Sequence, residues 1–88
     1  MQTITGKKYL TFQVISDGAY MIEYSDEQYV DILNNTNGDI KVSGEEIGDD
    51  GDNYIVMPPN SAYNDMRLYS GELYIIAAET GHISLAAR

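Results

Sequence analysis

The sequence predicts an all-β fold, a small antiparallel β-sandwich or jelly-roll-like domain of about eight short strands. Three observations carry that reading. Apolar residues alternate with polar ones in short runs. The runs are separated by chain-reversing dipeptides, Ser70-Gly71 and Thr80-Gly81 among them. The reversals recur roughly every 8–12 residues, the spacing of a sandwich or small barrel.

The elements follow in order. Lys8–Ile15 places Leu10, Phe12 and Val14 on one face and Tyr9, Thr11 and Gln13 on the other. Ser16-Asp17-Gly18 supplies a turn, because glycine tolerates positive φ and aspartate bonds its own backbone. Ala19–Tyr24 then carries Tyr20, Ile22 and Tyr24 on one face, so the two segments read as a β-hairpin. Gln28–Leu33 puts Val30 and Ile32 in phase. Tyr29, Val30 and Leu33 also fit a helical spacing within Asp26–Asn34, but the β-branched and aromatic content favours strand. Asn34 to Gly38 is polar turn material, and Asp39–Ser43 follows with Ile40 and Val42 aligned. An acidic loop spans 44–53. Tyr54–Met57 is a strand ended by Pro58-Pro59, since proline donates nothing to a ladder. Tyr63–Tyr69, Glu72–Ala78 and His82–Ala87 complete the set, which places His82 beside a hairpin tip.

Eighty-eight residues form one domain, 1–88. A domain of this size buries only about 60–65% of the surface its unfolded chain exposes, so it gains from outside support. There is no cysteine, which removes disulfides and thiolate metal sites. Association is the remaining route, and a homo-oligomer, a trimer foremost, is expected. Fourteen acids against five bases give a net charge of −9, with Lys7, Lys8, Lys41, Arg67 and Arg88 scattered. That balance argues against nucleic acid and against an anionic membrane surface as partners. Met1 to Thr5 has neither the basic start nor the apolar stretch of a secretion signal, and no run is long enough to span a bilayer.

Candidate sites are few. Gly48-Asp49-Asp50-Gly51-Asp52-Asn53 gathers hard oxygen donors, yet lacks the spacing and the closing glutamate of a calcium loop; a solvated acidic loop is the simpler reading. No cofactor is implied. His82 is the lone histidine, and none of Ser61, Ser70 or Ser84 sits in a nucleophile elbow. Glu23, Asp31, Glu72 and Glu79 are carboxylates near strand faces, without a spacing that pairs them. The expectation is a protein that is not an enzyme. Asn34-Asn35-Thr36 matches the glycosylation pattern and, without a secretion signal, is set aside.

Two features point to recognition instead. Eight tyrosines and no tryptophan suit sheet packing, protein interfaces or sugar stacking, and Tyr20 and Tyr24 share a face. Leu73-Tyr74-Ile75-Ile76-Ala77-Ala78 is apolar on both faces, flanked by Glu72 and Glu79 as gatekeepers. Such a strand is covered on both sides or packs on another chain. The second option gives an interface centred on Leu73, Tyr74, Ile75, Ile76 and Ala78, with Tyr69 and Arg67 beside it.

The run Met57-Pro58-Pro59-Asn60-Ser61-Ala62-Tyr63-Asn64-Asp65-Met66-Arg67-Leu68, then Ser70-Gly71-Glu72-Leu73-Tyr74-Ile75 and Thr80-Gly81-His82-Ile83-Ser84-Leu85, resembles small all-β accessory proteins of tailed-phage virions, including head-decoration and fibre-associated modules. Val14-Ile15-Ser16-Asp17-Gly18 before an apolar strand is similar too. The likeness is one of layout over most of the chain. It implies a non-enzymatic structural role, binding capsid or other virion proteins as a small symmetric oligomer, located in the virion after assembly in the host cytoplasm. The alternative is a small carbohydrate-binding module using tyrosine-lined sheet faces.

Overall fold

Alternation along each strand leaves one face apolar, and two such faces close on each other. The computed structural model describes residues 1–15, 18–48 and 52–88, and among them nine strands form two sheets. They are β1 (Gln2–Thr5), β2 (Tyr9–Val14), β3 (Gly18–Glu23), β4 (Tyr29–Thr36), β5 (Ile40–Ser43), β6 (Ile55–Met57), β7 (Ser61–Arg67), β8 (Glu72–Ala77) and β9 (Gly81–Ala87). Sheet A runs β1-β3-β8-β5-β6 and sheet B runs β2-β9-β4-β7. All pairings are antiparallel except β1 with β3. The fold is the expected all-β sandwich. The ninth strand, β1, has a single inward apolar residue, Ile4, too little alternation to stand out in sequence.

The core lies between the sheets. Ile22, Leu73, Ile75, Ile40 and Val42 from sheet A meet Val14, Val30, Ile32, Ile83 and Leu85 from sheet B, all essentially excluded from water. Burying side chains of this kind contributes about 1.5–3 kcal/mol each, the main force holding the layers together.

The expected hairpin between the second and third strands is not formed. β2 pairs with β9, while β3 pairs with β1 and β8 in the opposite layer. Their apolar faces meet across the interlayer instead, with the Phe12 and Tyr20 rings 5.2 Å apart. Ser16 and Asp17 of the expected turn lie outside the described residues. The Ser70-Gly71 and Thr80-Gly81 reversals likewise carry the chain between layers, since β7 and β9 belong to sheet B and β8 to sheet A. His82 is therefore inside β9, opposite Gln13 and Asn35, rather than at a hairpin tip.

The Asn34–Gly38 segment is also only partly a turn. β4 continues through Thr36 because Asn34 and Thr36 are buried and satisfied. The Asn34 amide nitrogen donates to the carbonyls of Gly38 (3.0 Å), Met57 (3.0 Å) and Pro58 (3.1 Å). Its oxygen accepts the Thr36 backbone N–H at 2.9 Å. On the far side of β4, β7 bulges: Val30 faces Met66 and Ile32 faces Tyr63, which leaves one extra residue on β7. Asp65 takes the left-handed conformation there (φ 62°) and donates its N–H to Asp31 Oδ1 at 2.9 Å. Arg88 bridges Asp31 (3.1 Å) and Asp65.

Candidate functional site

The outer face of sheet A is built by the residues that alternate with the core set. Register places Ala19, Ile76, Lys41 and Val56 in one row across β3, β8, β5 and β6. Met21 and Tyr74 form the next row, and Glu23 and Glu72 the row beyond. Ile76 is 38% exposed and Val56 50%, so the row carries bare apolar surface near the middle of a sheet. Glu46 and Ile47 fold over the Tyr74 end, and with Met1, Ala19, Tyr74 and Ile76 they bound a groove of about 250 Å³.

Beyond the Tyr74 row the outer face turns acidic. Glu23 and Glu72 are direct cross-strand partners, an arrangement that like charges disfavour. The Tyr74 hydroxyl donates to Glu72 Oε2 at 2.7 Å. This bond, then burial, then the charges of Glu72, Glu46 and Glu23, push the phenol up to about 12, so it stays a neutral donor throughout the physiological range.

The seven interface residues expected from sequence separate into three groups. Leu73 and Ile75 point into the core and are 0% and 1% exposed, so they offer nothing to a partner. Tyr74 and Ile76 lie on the outer face as expected, and Ala78 is exposed just beyond the end of β8. Arg67 and Tyr69 sit elsewhere, at the end of β7, with the guanidinium 5.3 Å from the ring centre. β8 itself is central, hydrogen-bonded to β3 and β5, so only its outer face remains available. Sequence reading missed Val56, Ala19 and Ile47. The triplet Ile55-Val56-Met57 held a signal, because a run of three apolar residues must turn one outward.

Arg67 and Tyr69 belong to a second concavity of about 390 Å³, between the β5–β6 end of one sheet and β7 of the other. Tyr54, Tyr63 and Tyr69 line it together with Asn53, Asp65 and Arg67. Lys41 lies over the Tyr54 ring at 4.8 Å. Of the uses that suit the tyrosines, Tyr20 and Tyr24 serve packing: each is 7% exposed and lies in the core, with no ring face left for stacking. Tyr24 has a buried hydroxyl with no partner among the described residues, and burial, helped by Glu27, pushes it up to about 12.

The other candidates do not assemble. Among the four carboxylates only Glu23 and Glu72 are brought together; Asp31 is held by Arg88 in sheet B, and Glu79 packs beside Gly38. Ser84 is hydrogen-bonded to Thr11 at 3.0 Å. Asp49, Asp50 and Gly51 of the acidic loop lie outside the described residues. Among the described residues no three His, Asp or Glu side chains are grouped to hold a metal ion. The amide of Asn34, the acceptor of the glycosylation pattern, is fully buried and committed to three carbonyls.

Comparison with family models, curated proteins and solved structures gave no match.

Proposed function

We propose that this chain is a non-enzymatic assembly protein, an accessory component of a tailed-phage virion, that docks on neighbouring virion proteins through the outer face of sheet A. The observation that carries the reading is Ile76. It stands on the central strand of a sheet, apolar and 38% exposed, in a row with Val56 and beside the groove of Met1, Ile47 and Tyr74. Apolar surface at the middle of a sheet gains free energy when a partner covers it, and a small domain has much to gain from that cover. Repetition on a symmetric particle adds avidity, so each contact can be weak. The test is incorporation. Virions assembled with Ile76→Asp should lose most of the protein from the purified particle, while Glu45→Ala should leave the copy number unchanged. Equal incorporation of both variants, or a wild-type protein that never co-purifies with particles, would overturn the proposal.

The tyrosine-lined concavity favours a second reading, a carbohydrate-binding module. Tyr54, Tyr63 and Tyr69 offer rings, and Asn53, Asp65 and Arg67 offer polar partners for hydroxyls. A glycan array separates the two: saturable binding lost on Tyr69→Ala supports sugar recognition, and a blank array leaves the assembly role alone.

A further inference from the structure

The two sides of the sandwich end differently. At one side, β6 has three residues and stops at Pro58-Pro59, and β7 is bent by the Asp65 bulge and carries Asp65 and Arg67. Those are the devices that keep an edge from pairing. At the other side sit β1, four residues paired in parallel with β3, and the longer β2, six residues without proline, bulge or charge, which among the described residues pairs only with β9.

The direction of the free peptide groups of β2 is fixed. The Lys8 carbonyl accepts the Ala87 N–H at 2.8 Å, so Lys8, Leu10, Phe12 and Val14 turn their peptide groups toward β9. Tyr9, Thr11, Gln13 and Ile15 therefore turn theirs to the open edge. At the two ends of that row stand Tyr9 and Ile15, 72% and 74% exposed, among the barest large apolar side chains of the molecule.

We propose that β2 pairs antiparallel with β2 of a second copy of this chain, about a two-fold axis at Phe12. In this register Tyr9 faces Ile15 of the other copy, Leu10 faces Val14, and Thr11 faces Gln13. All four outward peptide groups of each copy then find partners, whereas centring on Thr11 would leave Ile15 out. Leu10, Phe12 and Val14 stay on the core side in both copies, so sheet B continues as one eight-stranded sheet. The symmetry makes the Tyr9–Ile15 contact twice, an aromatic against a β-branched side chain. Each chain has a net charge of −9, but Tyr9–Ile15 carries no charge and follows Lys7-Lys8, so the seam itself sets no acidic side chains against each other. The association is two-fold, in place of the trimer expected from sequence, and it leaves the outer face of sheet A free.

Light scattering across a concentration series, combined with amide hydrogen exchange, tests this on the full chain. The expected mass rises to that of two chains, and the Tyr9, Thr11, Gln13 and Ile15 amides gain protection as it does. Thr11→Pro removes an outward N–H and the exposed side-chain bond to Ser84 but no backbone bond to β9, so it should give a monomer with an unchanged circular-dichroism spectrum. Ile15→Lys, beyond the strand end, should weaken the dimer by about tenfold or more and keeps the test decisive if the proline variant unfolds. A monomer at every soluble concentration overturns the proposal. So does a dimer whose four amides exchange freely, or one dissolved by Ile76→Asp and untouched by Ile15→Lys.

Discussion

The Asn34 side-chain amide donates to the Met57 carbonyl at 3.0 Å, tying β4 of sheet B to the end of β6 in sheet A. The same nitrogen reaches Gly38 and Pro58, so one buried side chain fixes the Pro58-Pro59 corner and the β4–β5 turn together. The Gly38 and Pro58 carbonyls also accept from the Thr36 and Ser61 hydroxyls, at 2.9 and 2.6 Å, whereas the bond to Met57 is buried.

Asn34→Ala should therefore cost about 2–4 kcal/mol, because the buried Met57 carbonyl and the Thr36 N–H and hydroxyl lose a partner at once. For a domain of this size that lowers Tm by roughly 10–20 °C. Asn34→Asp should be worse at neutral pH, since a carboxylate oxygen replaces the donor and faces three carbonyls. Urea titrations of the three proteins, read as midpoint shifts at constant slope, check the order.

Tyr24 gives a pH prediction with a definite sign. Its hydroxyl is buried without a partner among the described residues and is pushed from 10.0 up to about 12 in the folded protein. Folding thus favours the neutral phenol. The contribution is fully present below pH 10, where both states are protonated, and is lost as pH rises from 10 toward 12, where only the unfolded chain ionises. The loss should be on the order of 2–3 kcal/mol across that window. Tyr24→Phe removes an unpaired polar atom, so at pH 7 it should be neutral or stabilising by up to about 1 kcal/mol, and the loss above pH 10 should shrink. Thermal melts at pH 7, 10 and 11 for both proteins decide it; an unchanged alkaline loss in Tyr24→Phe would assign it to other groups.

Gly44 lies where the end of β5 meets the end of β7, and its carbonyl accepts the Tyr69 N–H at 3.1 Å. A methyl group there would overlap the Arg67 carbonyl, which is backbone and cannot swing aside. Gly44→Ala should cost several kcal/mol, at the severe end of single substitutions, and deform the concavity lined by Tyr54, Tyr63 and Tyr69. Chemical denaturation reads the first effect and the Tyr69 amide shift reads the second.

What the sequence made legible is what a two-residue period can encode. Leu10, Phe12 and Val14, or Val30 and Ile32, declare an inward face by alternation alone, and the structure puts each of them inward or against the core. Which layer a strand joins is a different kind of information. Val14 and Tyr20 are six residues apart and sit in opposite sheets, while Gln13 pairs with His82 across most of the chain. The site suffers the same loss. Ile76 and Tyr74 were legible as surplus apolar residues on a strand already supplied with Leu73 and Ile75. Val56, Ala19 and Ile47 join them only through register and a loop crossing, which no local pattern records. Tyr20 and Tyr24 were legible as sharing a face, and they are packed in the core, but alternation alone does not say whether a shared face is inside.

The same layer-switching topology sets the folding rate. Among consecutive strands only β5 and β6 are neighbours in a sheet. β2 must find β9, β3 must find β8, and β4 must find both β7 and β9 before most of the core is buried. Loop-closure entropy is lost before those contacts return free energy, so refolding should fall in the millisecond-to-second range rather than the microseconds of helical bundles. Because β8 and β9 each bridge two distant strands, Ile75→Val and Ile83→Val should slow refolding, whereas Met57→Leu on β6 should act mainly on unfolding. Stopped-flow chevrons in urea measure both limbs. Microsecond refolding, or a folding limb that responds to β6 and ignores β8 and β9, would show that the local β5–β6 hairpin forms the nucleus instead.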